Sequence, residues 1–136
     1  MLQRDDIAQI IEEYDRMKLR IGMTASHSAL DICDGGIEEG FPTVAYCQEG
    51  RHKTYANYFK TKRSSSGRVL RGMVDKAIVM PSFNDVMDEA MQVEMRKRNV
   101  VYIPNRSFTS YSSIEDVENK FRVPLFGSRN MLRMEE

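Results

Sequence analysis

Two short runs rich in apolar and β-branched residues bracket a helical stretch near the start of this chain, and that arrangement restricts the folds open to it. Leu19-Arg20-Ile21-Gly22-Met23 reads as a strand. Residues 28–39 read as an amphipathic helix with Leu30, Cys33 and Ile37 on one face. Thr43-Val44-Ala45-Tyr46-Cys47 reads as a second strand. That second run has almost no polar position, as expected of a strand covered on both faces. Strand, helix and strand in this order make a βαβ unit with parallel strands and a right-handed crossover. Gly35-Gly36 inside the helix costs about 1 kcal/mol per glycine against alanine. A close approach of helix to sheet would account for that cost. Gly40 is placed to end the helix.

The alternation continues on both sides. Ile7, Ile10, Ile11, Tyr14 and Met17 share one face of an N-terminal helix, with Asp5 and Asp6 near its positive end. Gln48-Glu49-Gly50-Arg51 is a turn, and Tyr55, Tyr58 and Phe59 are aromatic anchors on a short helix. Residues 61–68 are polar, basic and flexible by composition, a loop or insertion. Lys76-Ala77-Ile78-Val79-Met80 reads as a strand. Ser82 with Asp85 can cap a helix running to about Arg98, with Met87, Ala90 and Met91 inward and Arg96-Lys97-Arg98 on its negative end. Asn99 ends that helix before the strand Val100-Val101-Tyr102-Ile103, which leads into the loop Pro104-Asn105-Arg106-Ser107-Phe108. Ser112 and Glu115 form a capping box for a short helix carrying Ile114, Val117 and Phe121. Val123-Pro124-Leu125-Phe126-Gly127 is a last strand and turn. The expectation is one α/β domain over residues 1–136, an open parallel sheet with helices on both faces.

Composition removes several classes of function. Lys+Arg and Asp+Glu both total 20, so no net charge draws the whole chain to nucleic acid or an anionic membrane. Mean hydropathy is −0.50, and no apolar run approaches the about 20 residues of a membrane span. The charged start, Met1-Leu2-Gln3-Arg4-Asp5-Asp6, is unlike a signal peptide. Cys33 and Cys47 lack metal-type spacing and fit buried, reduced thiols in a cytoplasmic protein. The ten methionines are read as core filler. Lys60, Lys62, Arg63, Arg68 and Arg71 make a basic stretch that is read as a solvated insertion rather than a nucleic-acid site.

The chemistry concentrates where the first strand meets the second helix, at Thr24-Ala25-Ser26-His27-Ser28-Ala29-Leu30. In open α/β sheets ligands bind beyond the carboxyl ends of the strands. A helix N-terminus there offers free N–H groups to an anion such as phosphate. Ser26 and Ser28 could bind phosphate through hydroxyl and N–H, or simply cap the helix. His27 could hold a phosphate or polar ring, act as an acid or base, or bond only to backbone and water. The stretch has no G-x-G-x-x-G and no G-x-x-x-x-G-K-[ST], and no His, Cys, Asp or Glu cluster has metal spacing, so no nucleotide cofactor or metal is expected on this chain. His52, between Arg51 and Lys53, reads as a surface histidine. The tip of the first strand (Ser26, His27) and the loop after the Val100 strand (Asn105 to Ser107) should lie on one edge and grip one ligand between them.

Three segments together resemble one family. The first is Ala25-Ser26-His27-Ser28-Ala29-Leu30 followed by Gly36-Ile37-Glu38-Glu39-Gly40-Phe41-Pro42-Thr43-Val44. The second runs from Ile103-Pro104 to Ser107-Phe108. The third is Val117-Glu118-Asn119, then Val123-Pro124-Leu125-Phe126-Gly127-Ser128-Arg129, then Leu132-Arg133. The family is the archaeal-type formate-dependent ligase of purine (IMP) biosynthesis, 5-formaminoimidazole-4-carboxamide ribonucleotide synthetase. The resemblance implies a Rossmann-like pre-ATP-grasp domain that binds substrate, with the ATP-grasp domain absent from this chain. The family joins formate to the exocyclic amine of 5-aminoimidazole-4-carboxamide ribonucleotide (AICAR) with ATP, giving the formylated product FAICAR. By position, His27 and Ser107 match residues that contact the ribonucleotide. ATP and magnesium would belong to the missing domain, supplied in cis or in trans, and a homo-oligomer is implied by analogy. The isolated chain is then expected to be inactive. Where the family has His-Gly or Thr-Gly before the matching serine, Asn105 and Arg106 stand here. Arg106 either adds a phosphate contact or fills the pocket, and residues 61–72 look like an insertion. The alternative reading is a stand-alone, non-enzymatic nucleotide-binding or assembly module descended from that domain.

Overall fold

The computed structural model describes residues 2–26, 28–105, 108 and 112–126. Four strands form a parallel sheet: β1 (Arg20–Thr24), β2 (Thr43–Gln48), β5 (Lys76–Met80) and β6 (Val100–Tyr102), in the order β5-β2-β1-β6. Helix α2 (Ala29–Glu38) packs on one face of the sheet. Helices α3 (Glu89–Lys97) and α4 (Ile114–Lys120) cover the other. The expected α/β architecture with helices on both faces is therefore present.

Strand β2 shows why the pattern was readable. Thr43 through Cys47 are all buried. Successive residues alternate between the two faces, so Val44 and Tyr46 enter one core while Ala45 and Cys47 enter the other. The first core is aromatic, with Tyr46, Tyr102, Phe108 and Phe121 linked by ring contacts at centroid distances of 4.9–5.8 Å. The second is built from small residues and thiols, including Ala29, Cys33, Ala45 and Cys47. Small side chains let α2 sit low on the sheet. A Cβ on Gly36 would stand 3.2 Å from Thr43 Cγ2, whereas one on Gly35 would meet nothing within 4 Å. Close packing thus explains the second glycine and not the first. Gly40 has φ +87°, its N–H bonds to Ile37 O, and the Phe41 N–H bonds to Gly36 O. This pair of bonds is a Schellman stop.

Several expectations need correction. Helix α1 (Arg4–Glu12) ends well before Met17, which is 92% exposed. The Asp15 side chain accepts the Met17 N–H at 3.0 Å and starts a separate 3₁₀ turn, Arg16–Lys18. Tyr14 is buried all the same, its hydroxyl donating to Val100 O at 2.7 Å. The helix expected from Ser82 to Arg98 is two elements, a 3₁₀ helix Phe83–Met87 and then α3. They are parted at Asp88, whose backbone is extended (ψ 138°). The Ser82–Asp85 capping box is present. Phe83, Val86, Gln92 and Met95 are the buried residues here, and Ala90 is exposed rather than inward. Helix α4 is capped by Ser113, whose hydroxyl accepts the Asp116 N–H at 3.1 Å, not by Ser112. Tyr55 anchors the single π-type turn Thr54–Tyr58, while Tyr58 is 80% exposed. The final strand reduces to one parallel bridge, Tyr102 with Leu125.

The basic stretch is not a flexible loop. β3 (Lys62–Arg63) and β4 (Val69–Arg71) pair antiparallel as a hairpin, with Gly67 at φ +87° in its turn. Asp75 anchors it. Arg63 forks onto both Asp75 carboxylate oxygens at 2.7 and 2.8 Å, Thr61 donates at 2.7 Å and the Thr43 N–H at 2.9 Å. Burial alone would push the Asp75 carboxyl up, but the bonds from Arg63, Thr61 and Thr43 outweigh it and hold the group below its usual range.

Candidate functional site

The strand order reverses direction between β1 and β6. From β1 the chain moves outward to β2 and β5, then returns to pair β6 on the other side of β1. Connections at such a point diverge and leave a crevice beyond the carboxyl ends of the two strands. Thr24 and Tyr102 head toward that crevice from adjacent strands, and their hydroxyls hydrogen-bond at 2.7 Å. Burial raises the Tyr102 phenol, and the bond from Thr24 only partly offsets that, so the pair stays neutral. Gly22 leaves the space that the Val100 side chain fills: a Cβ there would stand 2.6 Å from Val100 Cγ1.

Asn105 joins the two tips. Its Nδ2 donates to Thr24 O at 2.9 Å, and its Oδ1 accepts the Phe108 N–H at 3.0 Å. The residue is buried, so both bonds are made away from water. On the opposite side of the β1 tip, the Tyr55 hydroxyl donates to Ser26 O at 3.1 Å, and the Ala29 N–H reaches the same carbonyl at 3.0 Å. The turn between β1 and α2 is therefore held from both flanks.

Ser28 is the N-cap residue of α2, but with φ +65° it lies in the left-handed region, and its hydroxyl does not cap the helix. A non-glycine residue there costs roughly 1–2 kcal/mol, and such strain concentrates at binding sites. Ser28 is exposed and Ser26 is half-buried. The Ser26 hydroxyl has no hydrogen-bond partner among the described residues. Two hydroxyls thus flank a helix N-terminus without being used to close it, an arrangement able to receive an anion. His27, Arg106 and Ser107 lie outside the described residues. Of the five site residues expected from sequence, the structure accordingly places Ser26 and Ser28, both at the crevice. The sequence puts Asn105 in the loop expected to grip the ligand, where it departs from the family, and Tyr55 among the aromatic anchors, but it does not show that the two clamp the β1 tip. A lone asparagine just past an apolar strand was the available signal.

Among the described residues no group of three or more His, Cys, Asp or Glu is placed to hold a metal ion. No described helix is long and apolar enough to cross a membrane. Cys33 and Cys47 are buried on the α2 side, and burial pushes both thiols up to about 12.

The chain is 38% identical over 135 residues to 5-formaminoimidazole-4-carboxamide-1-(beta)-D-ribofuranosyl 5'-monophosphate synthetase of Methanopyrus kandleri, covering 99% of this chain and 34% of that protein. It is 34% identical over 131 residues to the protein of the same name from Methanobrevibacter smithii, covering 96% and 32%. The crystal structure of an IMP biosynthesis protein PurP from Thermococcus kodakaraensis superposes with a TM-score of 0.58 at 28% identity, over 83% of this chain and 31% of that one. The two sequence relatives carry the name to which the three-segment resemblance pointed, and the chain spans about a third of the length of all three proteins. A family model described as "Protein of unknown function (DUF1246)" matches residues 21–136, from β1 through β6 and both crevice tips, and the chain belongs to that family.

Proposed function

We propose that this chain is the ribonucleotide-binding, N-terminal part of a cytoplasmic ligase that formylates AICAR with formate and ATP to give FAICAR. The observation that carries the reading is the joining of the β1 and β6 tips through Asn105 at the reversal of strand order. The 5′-phosphate sits at the N-terminus of α2, between Ser26 and Ser28. By their places in the sequence, His27 in the turn after β1 and Ser107 in the segment after β6, these two residues are the ones read as contacting the ribonucleotide. Arg106 either adds a phosphate contact or fills the pocket. A dianion suits this place because N–H dipoles and hydroxyls can replace its water without a metal. ATP and magnesium belong to an ATP-grasp partner domain, in cis or in trans, which supplies the phosphoryl transfer that activates formate. This chain holds the amine-bearing substrate still for that step.

Calorimetric titration of the chain with AICAR tests the reading, with His27→Ala and Ser107→Ala alongside. Saturable binding by wild type that is lost in both variants supports it. A folded wild-type chain that binds nothing, even with an ATP-grasp partner added, would refute it and favour the non-enzymatic module. Arg106→Gly should weaken binding by about 1.5–3 kcal/mol if the guanidinium holds phosphate; tighter binding would show that Arg106 obstructs the site.

A further inference from the structure

One contact ties the segment between β2 and β5 to the crevice. The Tyr55 hydroxyl donates to Ser26 O at 3.1 Å. The same carbonyl accepts the Ala29 N–H at 3.0 Å, which closes a four-residue turn over residues 26–29. A carbonyl oxygen has two lone pairs, and here each has a donor.

This turn is strained. Ser28 is its third residue, with φ +65° and ψ −2°. A third residue of positive φ is ordinarily glycine, because a Cβ is disfavoured there. A conformation of this kind persists only where its surroundings hold it. The bond from Ala29 is internal to the turn. The bond from Tyr55 comes from outside it, across 29 residues of chain.

Tyr55 is presented on a fixed support. Its ring is buried in the core with Ala25, Ala29, Cys33 and Cys47. It stands on the π-type turn Thr54–Tyr58, closed by the Phe59 N–H on Thr54 O at 3.0 Å. Single turns of this type recur at functional sites. Beyond it, Phe59 O accepts the Met73 and Val74 N–H groups at 3.0 and 2.9 Å. Thr43 Oγ1 donates to Met73 O at 2.6 Å, so the far end of the segment is anchored on β2. Packing needs only the Tyr55 ring, which a phenylalanine would supply. The hydroxyl has the turn as its partner, and burial pushes the phenol up, so it stays a protonated donor.

We propose that Tyr55 is a positioning residue of the substrate site: its hydroxyl holds the turn of residues 26–29 in the shape that receives the phosphate. This role rests on the placing of the phosphate at α2 proposed above. It gives the segment between β2 and β5 a part in ligand binding through one hydroxyl.

Tyr55→Phe tests the role with two readouts. One is calorimetric titration with AICAR and with inorganic phosphate. The other is hydrogen exchange of the Ala29 amide in the ligand-free chain. Affinity for either ligand should fall about five-fold, the net worth of one hydrogen bond. The Ala29 amide should exchange faster relative to the amides of β2, which report global stability. Tyr14→Phe is the control, since its hydroxyl also bonds a carbonyl, Val100 O at 2.7 Å, but at the amino end of β6. It should lower Tm and leave both readouts unchanged. Ser28→Gly should shrink the loss caused by Tyr55→Phe, because glycine keeps a positive φ without help. 3-Fluorotyrosine at position 55, a stronger donor of nearly the same size, should slow Ala29 exchange, and it carries the test if Tyr55→Phe does not fold. A wild-type chain that binds phosphate but not AICAR would refute the ribonucleotide reading and leave Tyr55 to be judged by phosphate affinity. A wild-type chain that binds neither, even with an ATP-grasp partner added, overturns both. The positioning role alone is overturned if Tyr55→Phe binds as wild type does, if its Ala29 amide exchanges at the wild-type rate, or if Ser28→Gly leaves the loss undiminished.

Discussion

Asn105→Asp exchanges one amide nitrogen for oxygen at the joint between the two crevice tips. The introduced carboxylate would keep one oxygen as acceptor for the Phe108 N–H, which Asn105 Oδ1 binds at 3.0 Å. Its other oxygen would face Thr24 O, to which the amide donates at 2.9 Å, and two acceptors would then confront each other in a buried place. Losing a buried donor in this way costs roughly 1–3 kcal/mol. For a chain of 136 residues the unfolding entropy is about 0.3 kcal/mol per degree, so a loss of about 2 kcal/mol lowers Tm by about 7 °C. The sign with pH is fixed. Confronting a carbonyl away from water raises the folded-state pKa of the new carboxyl above its unfolded value of about 3.9. When protonated, the group donates to Thr24 O as the amide does. The variant therefore approaches wild-type stability below about pH 4, and the deficit grows as pH rises through the folded-state pKa. Paired thermal melts of variant and wild type from about pH 3.5 to 7.5 measure the difference. Equal stability at pH 7, or a deficit that does not change with pH, would refute the assigned role of Asn105.

Four further outcomes follow from the packing. Gly22→Ala should cost about 2 kcal/mol in denaturant melts, because its Cβ would stand 2.6 Å from Val100 Cγ1; Gly35→Ala, with open space around it, should gain about 0.5–1 kcal/mol. Tyr46→Phe should stabilise the chain by about 1 kcal/mol by the same measurement, since the buried Tyr46 hydroxyl has no hydrogen-bond partner among the described residues. Cys33 and Cys47, buried with thiols pushed up to about 12, should not react with Ellman's reagent at pH 8 until denaturant is added. Asp75 is held below its usual range, so its contribution is present above about pH 4 and lost as pH falls; acid titration followed by circular dichroism should show a smaller acid-side loss in Asp75→Asn.

What could be read from the sequence depended on how far apart the deciding residues lie. β2 was legible because Thr43 to Cys47 are covered on both faces, and their apolar run says so directly. The stop at Gly40 and the Ser82–Asp85 cap were legible because both act within five residues. The break at Asp88 was not, since the periodic apolar residues continue across it and only the backbone bond from Asp88 N–H to Asp85 O closes the first element. The hairpin was hidden for a different reason. Its order comes from Asp75, reached across 12 residues by Arg63 and across 32 by Thr43. The site divided in the same way. The β1 tip was found from its local strand–turn–helix signature, while the role of Asn105 depends on Thr24, 81 residues earlier.

The alternation of β2 between two unlike cores governs how this protein can come apart. Val44 and Tyr46 belong to the aromatic layer, Ala45 and Cys47 to the thiol layer, and the sheet strands are what the two layers share. Neither layer can open fully without releasing β2, and releasing β2 exposes the other. Partial unfolding should therefore be confined to the periphery, such as α1, none of whose residues is buried. The amides of β2 should exchange with solvent only through global unfolding. A chain built this way melts as one unit, and the crevice between β1 and β6 keeps its shape until the whole fold is lost.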